Sequence, residues 1–168
     1  VIGWLLGHSF NLEENLEAQL LSNVLFENSA SPLQKALETT SLGHAPSPLC
    51  GLEDSNREMT FVCGIEGADV ESTEAVEALV VSVLEQVATD GVPKERLEAV
   101  LHQLELSQRE ISGDHYPYGL QLILGALSPM LHGGDPVQLL DLEPVIESLR
   151  KKIEDPEYIK ELVRRLLL

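Results

Sequence analysis

Five histidines carry the most versatile chemistry in this chain: His8, His44, His102, His115 and His132. A hydrolytic zinc site needs two imidazoles one helical turn apart, with a carboxylate to take a proton from the metal-bound water. No two of these histidines are four residues apart, and the closest pair is separated by 13. His102-Gln-Leu-Glu105 begins such a motif, but Leu106 stands where the second imidazole belongs, so His102 is read as a helix-surface residue. A serine nucleophile would want a Gly-x-Ser-x-Gly elbow, and a phosphate cradle a Gly-x-Gly-x-x-Gly or P-loop run; none of these occurs. His115, Tyr116 and Tyr118 cluster with Asp114, which suits a polar site or, the preferred reading, a structured loop between helices. Glu13, Glu14 and Glu17 are read as a solvated helix face. No catalytic, cofactor-binding or metal-binding residue is assigned in this chain.

Cys50 and Cys63 are the only cysteines, too few for a disulfide framework or a zinc cluster. A buried thiol is the default for Cys63. A Cys50–Cys63 bridge is open, though nothing in the spacing demands it. Eleven basic residues face 28 acidic ones, for a net charge of −17. Nucleic-acid binders need a basic footprint, so that class is excluded. Six of the eleven (Arg150, Lys151, Lys152, Lys160, Arg164 and Arg165) sit in the last 19 positions, and only Lys35 precedes Arg57. This reads as a solvated acidic surface with a basic terminal helix, or alternatively as an acidic wall that attracts basic peptides. No apolar run approaches the roughly 20 residues of a membrane span, and no signal peptide is recognisable.

These residues must be positioned by elements that the hydropathy pattern announces. The organising stretch is Arg57–Gly91. Met59, Phe61, Cys63 and Ile65 alternate with Glu58, Thr60, Val62 and Gly64, the period of two of a strand with one apolar face. Val76, Leu79, Val80, Val83, Leu84 and Val87 then recur at helical spacing up to Gly91. Each such side chain contributes about 1.5–3 kcal/mol when buried, so the stripe must lie on something apolar, and the preceding strand's sheet is the natural candidate.

Upstream, Val1–Leu6 is continuously apolar and fits a strand buried on both faces. The chain starts with Val-Ile-Gly-Trp and no Met, and is expected to be a processed product or an excised piece. Asn11 and Glu14 form a capping-box pattern opening a helix to about Glu27, with Leu12, Leu16, Leu20, Leu21, Val24 and Leu25 on its apolar face. Ser31 can cap a short helix, with Pro32 in its first turn, Gln34 completing a second capping box, and Leu33, Ala36 and Leu37 inward. Thr40–Asn56 reads as a loop with room for a short edge strand.

Downstream, Pro93 starts a helix carrying Leu97, Val100, Leu101, Leu104 and Ile111, which Ser112–Pro117 breaks. Gly119–Leu131 is a nearly apolar helix, expected to be buried on most sides. His132-Gly-Gly-Asp-Pro136 is a turn in which Asp135 can cap a short helix. Glu143–Ile153 and Pro156–Leu168 close the chain as two more helices. The fold class is therefore α+β: residues 1–168 as one domain with a small, mainly antiparallel sheet and helices packed on one face.

The ordered series resembles a known family. An N-terminal strand and helix, Ser31-Pro-Leu33 with a short helix, a Gly/Pro loop, an alternating strand ending in Gly64-Ile-Glu-Gly67, a long helix, a Gly-Val-Pro turn, another helix and Gly134-Asp-Pro-Val-Gln-Leu-Leu140 follow one another over essentially all 168 residues. It is similar to the second, non-catalytic domain of presequence-protease-type enzymes, a branch of the pitrilysin/insulinase zinc metallopeptidases. The resemblance implies four related α+β domains in two hinged halves, enclosing a chamber that admits unfolded peptides. Zinc is implied in the first domain, on an inverted His-x-x-Glu-His helix, and not in this chain. The helix Asn11–Glu27 lies where a catalytic domain would carry those ligands, and it holds no His. By resemblance, then, the chain is a chamber wall supporting the catalytic domain. Its implied partners are the other domains of the same protease and unfolded peptides, with basic ones suited to the acidic balance. Residues 143–168 form a helical exit toward the hinge, which begins near Leu168. The resemblance also suggests a mitochondrial matrix, plastid or bacterial soluble compartment. The alternative is a structural scaffold domain of an inactive superfamily member in a larger assembly.

Overall fold

A computed structural model describes residues 1–109, 117–137 and 141–168. Its elements run β1 (Ile2–His8), α1 (Leu12–Phe26), α2 (Pro32–Thr39), β2 (Ala45–Pro46), β3 (Gly51–Glu53), β4 (Glu58–Cys63), β5 (Ile65–Glu66), α3 (Thr73–Asp90), α4 (Lys94–Arg109), α5 (Tyr118–Leu131), α6 (Glu143–Lys152) and α7 (Tyr158–Leu167). The class is the one expected, helices on one face of a small antiparallel sheet.

β4 is the central strand. It pairs antiparallel with β1 on one side (Ile2 opposite Cys63, Trp4 opposite Phe61) and with β3 on the other (Leu52 opposite Phe61). Its alternation works as anticipated: Met59, Phe61 and Cys63 are buried, while Glu58, Thr60 and Val62 are exposed or half-buried. Phe61 lies between Trp4 and Phe26, at ring-centroid distances of 5.8 and 5.7 Å. The loop expected over Thr40–Asn56 contributes two short strands, β2 and β3. Ile65 leaves the main sheet and pairs with Pro46 in the separate β2–β5 ladder. Gly64 makes that corner possible. A Cβ there would stand 2.6 Å from the Val1 Cα, where the start of β1 crosses it.

β1 departs from the reading as a strand buried on both faces. Its burial alternates, and Leu5 is 67% exposed. Helices cover only one face of the sheet, so β1 needs only one apolar face, and its continuous apolarity conceals this.

The hub of the molecule is α1 rather than the β4–α3 unit. Leu16, Ala18, Leu20, Leu21, Val24 and Leu25 are buried around nearly the whole circumference of α1. One side lies on β1 and β3, and the rest is covered by α2, α4, α6 and α7. α3 buries Val76, Val80, Leu84 and Val87, with Leu79 and Val83 partly covered, but its main neighbours are α7 and α2, not the sheet. α7 takes the place beside the sheet that the hydropathy pattern assigns to α3, with Ile159, Leu162, Val163 and Leu167 in the core.

The caps are partly as anticipated. The Asn11 side chain accepts hydrogen bonds from the Glu13 and Glu14 amides. Glu14 does not close the box on the Asn11 amide; it accepts from the His8 amide at 2.8 Å and from Asn11 Nδ2 at 2.8 Å. The second capping box does not form. Ser31 is fully buried, and its hydroxyl accepts from Arg96 Nη2 at 2.6 Å, tying α4 to the start of α2, while Gln34 donates to Glu38.

α5 overturns one expectation outright. Leu120, Leu122, Ile123, Leu124, Leu127, Met130 and Leu131 are 37% to 69% exposed. Its C-terminal turn is held, with Gly134 close against Phe10 and His132 Nε2 3.4 Å from the Ser55 carbonyl. Apolarity says that a helix needs cover; it does not say that the same chain supplies it. Asp135 accepts from the Val137 amide at 2.9 Å, as its turn requires. Ile111, the Asp114–Tyr116 cluster and the body of the short helix after Pro136 lie outside the described residues.

Candidate functional site

The polar side chains that converge most closely are on α1 and α7. Glu17 sits in the buried run Leu16-Glu17-Ala18 and is only 5% exposed. A carboxylate there must be paired, because isolating it from water without partners is prohibitive. Three donors from α6 and α7 meet it. Lys152 Nζ is 2.8 Å from Glu17 Oε1, the Tyr158 hydroxyl donates to the same oxygen at 2.9 Å, and Arg165 Nη2 pairs with Oε2. Lys152 also bonds Glu13 at 2.6 Å and stands 5.8 Å from the Tyr158 ring centroid. The expectation of a solvated Glu13–Glu14–Glu17 face holds for Glu13, which is exposed, and is corrected for the half-buried Glu14 and the buried Glu17. Glu13 and Glu17 share Lys152, Glu17 also takes Arg165, and Glu14 is spent on the turn before α1.

The electrostatics define what this cluster can do. Burial pushes the Glu17 carboxyl upward, but hydrogen bonds from Lys152, Arg165 and Tyr158 outweigh it and hold the group below the ordinary carboxylate value. Burial, with Glu17 adjacent, pushes the Tyr158 hydroxyl well up, so it stays protonated and donates. For Lys152, burial works downward, yet the Glu13 and Glu17 carboxylates raise it overall. A carboxylate so fully engaged is a poor proton acceptor, and the cluster is a clasp rather than an acid–base pair. The cleft beside it, about 220 Å³, is lined by Leu6, Gly7, Glu14, Glu17, Ala18, Met59, Arg165 and Leu166. That is smaller than the roughly 300–1,000 Å³ of most small-molecule sites.

The histidines stay apart. His8 is half-buried and stacked on Phe10 at 4.9 Å, with Nδ1 buried and unpartnered. His44 and His102 are exposed, His132 lies by Ser55, and His115 is outside the described residues. Among the described residues, no three His, Cys, Asp or Glu side chains gather as they would around a metal ion. The α1 groups facing the cleft do not fit zinc: Glu17 is taken by two cations and Glu14 by the His8 amide. Tertiary structure also brings Cys50 beside the end of β4, with its sulfur 3.3 Å from both the amide and the carbonyl of Gly64, the residue that follows Cys63. Sequence reasoning missed Glu17. The available signal was the gathering of six basic residues at the far end of an acidic chain, which calls for a carboxylate partner inside the fold.

A family model described as the Peptidase M16 inactive domain matches residues 1–104. The mitochondrial presequence protease of Schizosaccharomyces pombe is 31% identical over 167 residues, and that of Xenopus tropicalis is 32% identical over 165 residues. Those matches cover 99% and 98% of this chain but only 16% of each relative, so the chain spans about one sixth of the length of the curated relatives it matches. A Bordetella pertussis Tohama I protein described as a zinc protease shares the fold, with a TM-score of 0.64 at 14% identity over 99% of this chain and 85% of that one. Among the described residues, no helix is long and apolar enough to cross a membrane.

Proposed function

Because the chain belongs to the family of M16 peptidase inactive domains, we propose that it is the non-catalytic supporting domain of a zinc metalloendopeptidase that degrades unfolded peptides. The observation that carries this reading is the state of α1. The helix that the resemblance aligns with a zinc-binding helix has no imidazole, and its inward carboxylate is closed off by Lys152, Tyr158 and Arg165. Such an arrangement fastens α6 and α7 to α1 and makes a firm wall. Metal-activated water would be generated elsewhere in the parent protein.

Two surfaces support the partner assignment. The exposed leucines and Ile123 of α5 form an apolar surface of the kind a neighbouring domain covers. The outer side of α3 and its approach carry Glu66, Asp69, Glu71, Glu74, Glu77, Glu85 and Asp90, all exposed, with no Lys or Arg between them. That side would favour basic peptides within an enclosing chamber. The mitochondrial names of the two relatives support a mitochondrial location for this chain as well.

The test is metal content and peptidase activity with added zinc. The chain itself should hold no stoichiometric zinc and cleave no unfolded peptide. Tightly bound zinc, or zinc-dependent cleavage by these 168 residues, overturns the reading. The acidic surface is checked by peptide affinity against salt, with basic peptides expected to weaken as salt rises and acidic ones not to bind. A parent sequence lacking a His-x-x-Glu-His helix would move the assignment to a structural scaffold.

A further inference from the structure

The two thiols stand in a relation that the proposed function does not use. In the β3–β4 ladder Gly51 lies opposite Val62 and Leu52 opposite Phe61, so Cys50, the residue before β3, comes in beside the end of β4 where Cys63 stands. Both are free thiols, and the Cys50 sulfur rests on the backbone of Gly64, the residue that follows Cys63. Their surroundings differ. Cys63 is fully buried behind the sheet, while Cys50 is half-buried at the strand's mouth. Cys50 Sγ lies 3.3 Å from both the Gly64 amide and the Gly64 carbonyl, so it accepts from one and can donate to the other.

We propose that Cys50 and Cys63 form a reversible dithiol–disulfide site, in which Cys50 is the attacking sulfur toward a small-molecule disulfide and Cys63 resolves the product. In the first step the Cys50 thiolate attacks one sulfur of the small disulfide. Its S–S bond breaks, one small thiolate leaves, and a mixed disulfide forms on Cys50. In the second step Cys63 loses its proton to solvent and attacks the Cys50 sulfur, expelling the second small thiolate. The protein dithiol is oxidised by two electrons and the small disulfide is reduced to two thiols. The division of roles is set by the geometry, since a solvent-borne reagent reaches Cys50 and not Cys63. The electrostatics run the same way. The Cys63 hydrogen bond, with the Gly64 amide, brings the Cys50 thiol down to about 6, while Cys50 and burial push the Cys63 thiol up. Capping Cys50 removes its charge, and with it most of what holds Cys63 protonated.

This inference does not depend on the protease reading. The full chain is treated under native conditions with oxidised glutathione, quenched with an alkylating agent and mapped by peptide mass spectrometry. The expected product is a Cys50–Cys63 cross-link that dithiothreitol reverses. Cys63→Ala should stop at glutathione on Cys50. Cys50→Ser should leave Cys63 unmodified, with capture at least about tenfold slower than at Cys50, because thiolate fraction and access set the rate. A wild-type chain that halts at the mixed disulfide overturns the proposal. So does equal capture of Cys63 in Cys50→Ser, or a wild-type chain whose thiols both survive while its denatured form reacts. Circular dichroism of each variant confirms that the comparison is between folded chains.

Discussion

Replacing Glu17 by Ala probes the α1–α7 clasp most directly. The substitution removes the acceptor of three donors: Lys152 at 2.8 Å, Tyr158 at 2.9 Å and Arg165. Hydrogen bonds to a charged group contribute about 1.5–3 kcal/mol each, and breaking a buried ion pair from one side costs about 3–5 kcal/mol. The structure argues for less than that upper range. The Lys152 and Arg165 side chains are 32% and 58% exposed and can return to water, so Tyr158 is the main group stranded. The small relief of self-repulsion in a chain of charge −17 acts in the same direction. The expected loss is about 2–3 kcal/mol, a fall in Tm of about 5–10 °C at roughly 2–4 °C per kcal/mol for a chain of this size. Glu13→Ala is the control. It makes the same charge change and breaks a Lys152 bond of 2.6 Å, but the Glu13 side chain is 54% exposed, so about 0.5 kcal/mol or less is expected. Urea unfolding of both variants, with unchanged m-values, reads the difference. A Glu17→Ala chain no less stable than Glu13→Ala would refute the claim that burial gives this cluster its weight.

The same cluster sets a pH dependence. The Glu17 carboxyl is held low, so its contribution is present above the unfolded value of 4.5 and lost as pH falls through the folded value. Lys152 and Tyr158 are raised, so theirs are present below 10.5 and 10.0 and lost as pH rises further. The stability gap between wild type and Glu17→Ala should therefore be widest near neutrality and close toward both extremes, as denaturant midpoints across pH will read. Leu20→Ala empties a fully buried site on the hub helix and should cost about 2–5 kcal/mol, whereas Leu5→Ala, on the open face of β1, should stay within about 0.5 kcal/mol by the same assay. Gly64→Ala drives a Cβ to 2.6 Å from Val1 Cα and should cost about 1–3 kcal/mol, with amide protection lost first at Ile2–Trp4. Ile123→Asp should leave the stability of this chain nearly unchanged; if a neighbouring domain covers α5 as proposed, the same change should weaken that association, read by limited proteolysis at α5.

The sequence by itself determined what each segment wants from water. The alternation at Met59, Phe61 and Cys63, the stripe Val76–Val80–Leu84–Val87 and the Asn11 cap are local signals. The structure honours them because a strand's or helix's period is a property of a few consecutive residues. The missing imidazole pair is equally local, a matter of histidine spacing along the chain. Tertiary structure decided who covers whom. Glu17 reads as solvated until α6 and α7, more than a hundred residues away in the chain, bring Lys152, Tyr158 and Arg165 over it. Cys50 and Cys63 become neighbours only because β3 pairs with β4, which brings the residue before one strand to the end of the other. The apolar face of α5 and the apolar run of β1 look alike as composition. One is left open and the other half-covered, because hydrophobicity states a demand for burial, while long-range packing alone determines which surface meets it.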